Sequence, residues 1–152
     1  MTPLDLTPDL VATLDVVATA ASGLADDWWL LGSAAMALVG VAGLSPPDVD
    51  LLVSERDARR LMTMWNTQPE PASASPLFRS KVFAKAGIAR LPIEIMAGFE
   101  VRNSEGWRPI QPRSRQLVQG VFVPTAAEQI EFCRLFGRPK DLARIPALEA
   151  LA

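Results

Sequence analysis

Three acids and one glycine corner are the residues of this sequence whose types and spacing suit chemistry. Asp48 and Asp50 stand two apart in a run, Asp-Val-Asp-Leu-Leu-Val, that reads as a strand. Their side chains then share one face, with Cα atoms roughly 6.5 to 7 Å apart. Carboxylates so placed can hold divalent cations about 3.5 to 4 Å apart, the spacing used in two-metal phosphoryl chemistry. Glu94, in Pro-Ile-Glu-Ile-Met, is a third acid between apolar neighbours on another strand-like stretch. An acid there is costly unless it is paired or bound to metal. Glu100 is a weaker substitute, nearer a strand end. Upstream of the aspartates, Gly32 and Ser33 mark a strand-to-helix corner. The glycine permits a tight turn and the close approach of a ligand. Ser33 sits at a helix N-terminus, where free N–H groups favour phosphate. Plainer readings stand beside these. Ser33 can be a helix cap alone, Asp48 a turn acid after Pro46 and Pro47, and Glu94 an ion-pair partner of Arg79, Lys81 or Arg90.

Composition narrows the chemistry further. The 152 residues contain no histidine, which excludes a Ser-His-Asp triad, a Cys-His pair and a His-ligated zinc site. The single Cys133 excludes an internal disulfide and fits a reducing cytoplasm. It reads as a small buried residue beside Ile130 rather than a nucleophile. A net charge of -2 disfavours general duplex-DNA binding. The start, MTPLDLTPDL, is not a secretory signal. The uncharged stretch 28–44 falls short of the roughly 20 residues a membrane span requires and is interrupted by glycines. It reads as a buried strand-turn-helix, with no membrane role. The apolar share hints at a homodimer.

The elements that must position these residues form one domain over 1–152. Thr7 and Pro8 open a helix over 7–21 with Leu10, Val11, Leu14 and Val17 at helical spacing. A core over 28–123 carries the glycine corner and the acids. Within it, a strand over 28–31 leads to a helix from Ser33 to about Val41. The strand over 48–53 is followed by a helix from Ser54, where Ser-Glu-Arg-Asp resembles a capping box, with Ala58, Leu61, Met62 and Trp65 facing inward. A Pro/Ser/Ala-rich loop covers 67–76, strands are expected at 77–86, 90–97 and 116–123, and 102–115 reads as polar and irregular. A C-terminal helix pair fills 125–151: a full capping box at Thr125 to Glu128 starts one helix, and Lys140 to Leu151 forms the last. This order predicts an α+β fold, a small mixed sheet flanked by helices. The four tryptophans read as core or surface cover rather than base-stacking platforms.

The strings LLGSAAMALVG, PPDVDLLVS and LPIEIMAG, taken together, resemble the signature of the DNA polymerase beta-type nucleotidyltransferase superfamily. The tail VPTAAEQIEFCRLFGRPKDLARIPAL is similar to the AbiEii and aminoglycoside nucleotidyltransferase branch. The resemblance spans roughly 28–149. It implies a metal-dependent enzyme, with Mg or Mn, that transfers a nucleoside monophosphate from an NTP such as ATP to a hydroxyl and releases pyrophosphate. It implies Asp48, Asp50 and Glu94 as metal ligands, Glu94 also serving as general base, and Gly32 and Ser33 at the nucleotide phosphates. Lys140 and Asp141 fall on the family's Lys-Asp pair, read as nucleotide-binding or as a helix brace. The acceptor could be a small molecule, a tRNA end or a protein side chain. Nothing between Ser33 and Arg56 is basic, so triphosphate charge would fall on the metals, the helix end and Arg79, Lys81 or Lys85. Two other readings remain. One is a noncatalytic nucleotide- or partner-binding module of toxin-antitoxin type. The other is a metal nuclease of the Pro-Asp...Glu-x-Lys kind, for which Met96 occupies the lysine position.

Overall fold

The structure, a computed structural model, describes residues 4–72 and 74–152. The chain begins α1 (Pro8–Ala21), β1 (Trp29–Leu31), α2 (Gly32–Val39), β2 (Val49–Leu52), α3 (Glu55–Met64). It continues β3 (Phe78–Arg79), β4 (Val82–Ala86), β5 (Ile93–Ala97), β6 (Glu100–Asn103), β7 (Gly106–Pro109). It ends β8 (Gln116–Val118), β9 (Val121–Val123), α4 (Ala126–Phe136), α5 (Pro139–Leu142), α6 (Ile145–Glu149). The main sheet has the order β1-β2-β5-β4, with β2 and β5 parallel and both outer pairs antiparallel. Helices flank it, giving the α+β class expected from the element order.

The helix starts follow local sequence. Thr7 accepts from the Leu10 N–H, Ser54 from Asp57 and Thr125 from Glu128. Neither expected capping box closes, however. The Asp57 carboxylate accepts instead from the N–H groups of Ala25 and Asp26 at 2.9 and 2.8 Å. Glu128 accepts from the Arg113 and Ser114 N–H groups. Each acid thus ties its helix to a distant loop rather than to its own first turn.

Other expectations need correction. Of residues 102–115 only 110–115 are irregular: before them β6 and β7 pair antiparallel through Arg102 with Trp107 and Asn103 with Gly106. The stretch 77–86 is two strands, β3 joining β6 and β4 joining β5. The stretch 116–123 is a hairpin whose turn residues Gln119 and Gly120 both have positive φ, 52° and 79°. The last helix divides between Leu142 and Ile145, because Pro146 has no N–H to extend the preceding turn. Met62 and Trp65 are only half-buried. Residue 73 of the 67–76 loop and residues 1–3 of the N-terminal segment lie outside the described residues.

Strand alternation gives the main sheet two unlike faces. Leu30, Val49, Leu51, Ile93, Ile95 and Ala84 face a large core with Leu10, Leu14 and Val17 of α1. Trp29, Leu31, Leu52 and Met96 face a second, smaller cluster that includes Phe83, Phe99 and Phe136. By the period of two, Asp50 and Glu94 belong to this second face.

Candidate functional site

The ladder itself brings the acids together. Asp50 is in register with Leu31 of β1 on one side and Glu94 of β5 on the other. Asp48 precedes Asp50 by two, on the same face. One carboxylate oxygen from each of Asp48, Asp50 and Glu94 lies within 4.8 Å of the others. The expected cationic partners of Glu94 are engaged elsewhere: Arg79 pairs with Glu100 at 2.8 Å, Lys81 with Glu55 at 3.6 Å and Arg90 with Asp9 at 3.7 Å.

This concentration of negative charge shows in the titration of the aspartates. Burial, the adjoining Glu94 carboxyl and the charge of Asp48 push Asp50 up to about 8. Burial and the charge of Glu94 also raise Asp48, with Lys140 and Lys85 opposing. Asp50 Oδ1 is buried and accepts no hydrogen bond, alone among the buried side-chain N and O atoms of the described residues. An orphaned acceptor among three acids is a position that a cation would complete. An all-oxygen donor set suits a hard ion such as Mg or Mn.

Gly32 has a second reason to be glycine besides ligand approach. Its φ is +71°, and a Cβ there would lie 2.7 Å from Asp50 Oδ2. The corner makes room for the carboxylate itself. From it, α2 starts with N–H groups that have no acceptor inside the helix.

A cavity of about 890 Å³ opens on this face, lined by Gly32, Ser33 and the three acids, and by Lys140 and Asp141 from α5. The seven residues singled out from the sequence therefore converge. Their commitments differ, though. Asp141 accepts from Arg138 Nε at 2.6 Å, Nη2 at 3.0 Å and its backbone N–H at 3.2 Å, which makes it a brace. Lys140 is exposed and forms no ion pair among the described residues, and its positive charge acts on Asp48 and Asp50.

Sequence reasoning missed part of this wall. Arg59, Arg138 and Arg144 also line the cavity, as do Phe78, Phe99, Phe132 and Phe136. Phe132 and Phe136 stand four apart in α4, a spacing that signals a second apolar face beyond Ile130 and Cys133. Arg138 lies over Phe78, 4.8 Å from the ring centre. Cys133 lines the cavity too, but burial pushes its thiol up to about 11, so it is inert at neutral pH. Met96 is buried on the site face where a nuclease would need its lysine. Trp28 and Trp29 are buried, as expected of core residues.

Comparison with known proteins shows the fold. Two solved structures share the fold. A candidate nucleotidyltransferase from Thermotoga maritima is 20% identical, with a TM-score of 0.71 over 96% of this chain and 92% of that one. The antibiotic-resistance factor ANT(2'')-Ia is 14% identical, with a TM-score of 0.54 over 91% of this chain and 80% of that one. No protein-family profile matches the sequence, and no curated protein does. Among the described residues no helix is long and apolar enough to cross a membrane.

Proposed function

We propose that the chain, acting as one domain over 1–152, is a nucleotidyltransferase that moves a nucleoside monophosphate from an NTP to a hydroxyl acceptor and releases pyrophosphate. The observation that carries this reading is Asp50: half-buried, with its Oδ1 buried and orphaned, and crowded by two further acids on a nucleotidyltransferase fold. Asp48, Asp50 and Glu94 would hold divalent cations, Mg or Mn, which when bound offset triphosphate charge and align the reacting oxygens. The N–H groups that begin α2, with the Ser33 hydroxyl, take phosphate oxygens. Lys140 adds positive charge at the same end of the cavity. Glu94 accepts the proton of the acceptor hydroxyl, directly or through water. Asp141 acts by fixing Arg138 against Phe78 rather than by touching nucleotide.

The test is incubation of the full chain with α-labelled NTPs, Mg or Mn and a panel of hydroxyl acceptors. Label transfer with pyrophosphate release is the expected result. Tight NTP binding with no transfer to any acceptor would favour a noncatalytic module.

A further inference from the structure

The cavity floor is the second face of the main sheet, and it is charged at both ends. The three carboxylates stand at one end. Arg59 of α3 and Lys81, just before β4, line the other. The Lys81 N–H donates to the carbonyl of Ala97 at 2.9 Å, three residues along β5 from Glu94. The strand rise therefore sets the two ends roughly 10 Å apart. Between them the floor is apolar, with Met96 and Phe83 side by side in register.

The ion pairs show which cations are available. Arg59 Nη2 and Lys81 Nζ lie 3.5 and 3.6 Å from one shared carboxylate, Glu55, so a positive charge is left over. Both side chains are about two-thirds exposed, and such pairs contribute only about 1 kcal/mol or less, so they are readily exchanged for a ligand anion. Arg79 and Arg138 are each held by a carboxylate of their own. Lys140 acts on the aspartates and belongs to the triphosphate end, whereas Lys81, a sequence candidate for triphosphate charge, stands at the far end of β5 from the acids and pairs with Glu55. Besides the three site acids, the acidic residues lining the cavity are Glu70 and Asp141, and Arg138 neutralises Asp141. A polycationic acceptor such as an aminoglycoside would meet like charge here.

We propose that the acceptor is an anionic hydroxyl compound: its hydroxyl reaches Glu94, its apolar body lies over Met96 and Phe83, and its anion binds Arg59 and Lys81. The proposal rests on the nucleotidyl-transfer reading and names the acceptor class for it.

Three matched probes test it: 4-(hydroxymethyl)phenyl phosphate, neutral 1,4-benzenedimethanol and cationic 4-(aminomethyl)benzyl alcohol, with kanamycin as the polycation. Calorimetric binding to the full chain with Mg and α,β-methylene-ATP, which cannot release pyrophosphate, is expected to rank the phosphate first. Replacing both cations (Arg59→Gln with Lys81→Gln) should weaken the phosphate probe about 10-fold while ATP and the neutral probe bind as before. Equal binding of the three probes, preference for the amine or kanamycin, or a double variant that weakens ATP and phosphate probe alike would overturn the proposal. Binding is read without turnover, so it decides the acceptor class by itself. Label transfer from ATP to the probes reports separately on nucleotidyl transfer.

Discussion

Asp57 and Asp50 follow one another closely in sequence and each has a carboxylate oxygen withdrawn from water, yet their surroundings are opposite. Asp57 is 1% exposed and accepts two backbone N–H groups from the loop after α1. Glu128 is its counterpart at α4: burial works against its charge, but hydrogen bonds from the Ser114 hydroxyl and the Arg113 and Ser114 N–H groups outweigh that, holding it below the usual carboxylate range. Asp141, 5% exposed, is clamped by Arg138. Around Asp50 the neighbours are two more carboxylates, and one oxygen has no donor at all. Burial alone therefore does not mark a functional acid. What distinguishes Asp50 is that the fold leaves its charge uncompensated, a cost that makes sense where a ligand supplies the compensation.

The sharpest way to break this contrast is to titrate it. The Asp50 carboxyl is raised from 3.8 to about 8, so the metal-free protein is most stable with it protonated and loses that stability as pH rises through this window. The loss is about 6 kcal/mol at most. In denaturant melts with EDTA, Asp50→Asn should flatten the slope between pH 4 and pH 8 and leave the protein at least as stable as wild type at the upper end. The same variant should lose label transfer by about 100-fold or more. A large destabilisation by Asn in the metal-free protein would instead make Asp50 a structural acid like Asp57. Glu128 should behave in the opposite way. Its pKa is lowered, so its contribution is present at neutral pH and disappears as pH falls below the ordinary carboxylate range. Glu128→Ala leaves the Arg113 N–H, the Ser114 N–H and the Ser114 hydroxyl without their acceptor, costing about 3 kcal/mol at pH 7 by chemical denaturation. Transfer per folded molecule should be unchanged.

The same contrast explains how much could be read from the residues alone. Asp48, Asp50 and Glu94 stood out because a spacing of two fixes a shared strand face and because an acid in an apolar strand demands a partner. The cap residues Thr7, Ser54 and Thr125 were legible because capping is local. The partners of Asp57 and Glu128 were not, since both acids reach loops distant in sequence rather than their own helix start. The pairing of β6 with β7 was hidden because neither strand carries a clear apolar alternation: Trp107 is half-exposed, and Arg102 and Arg108 face solvent. Which cations are free near the acids depends on non-local ion pairs, so Arg79 looked as available as Lys140. The structure alone shows Arg79 held by Glu100 and lying over Trp107.

Gly32 offers the smallest effect and a fine separation of causes. Gly32→Ala should destabilise the protein by about 2 kcal/mol, because a φ of +71° is unfavourable for alanine and its Cβ would lie 2.7 Å from Asp50 Oδ2. These causes separate in a double-mutant cycle. Combined with Asp50→Ala, which removes the contacted carboxylate, Gly32→Ala should cost only the backbone part, leaving a coupling of about 1 kcal/mol between the positions. Strict additivity would mean that Gly32 serves the turn alone. Coupling would mean that the glycine corner and the uncompensated aspartate are one device, in which the missing side chain at position 32 lets the carboxylate stand buried beside the start of α2.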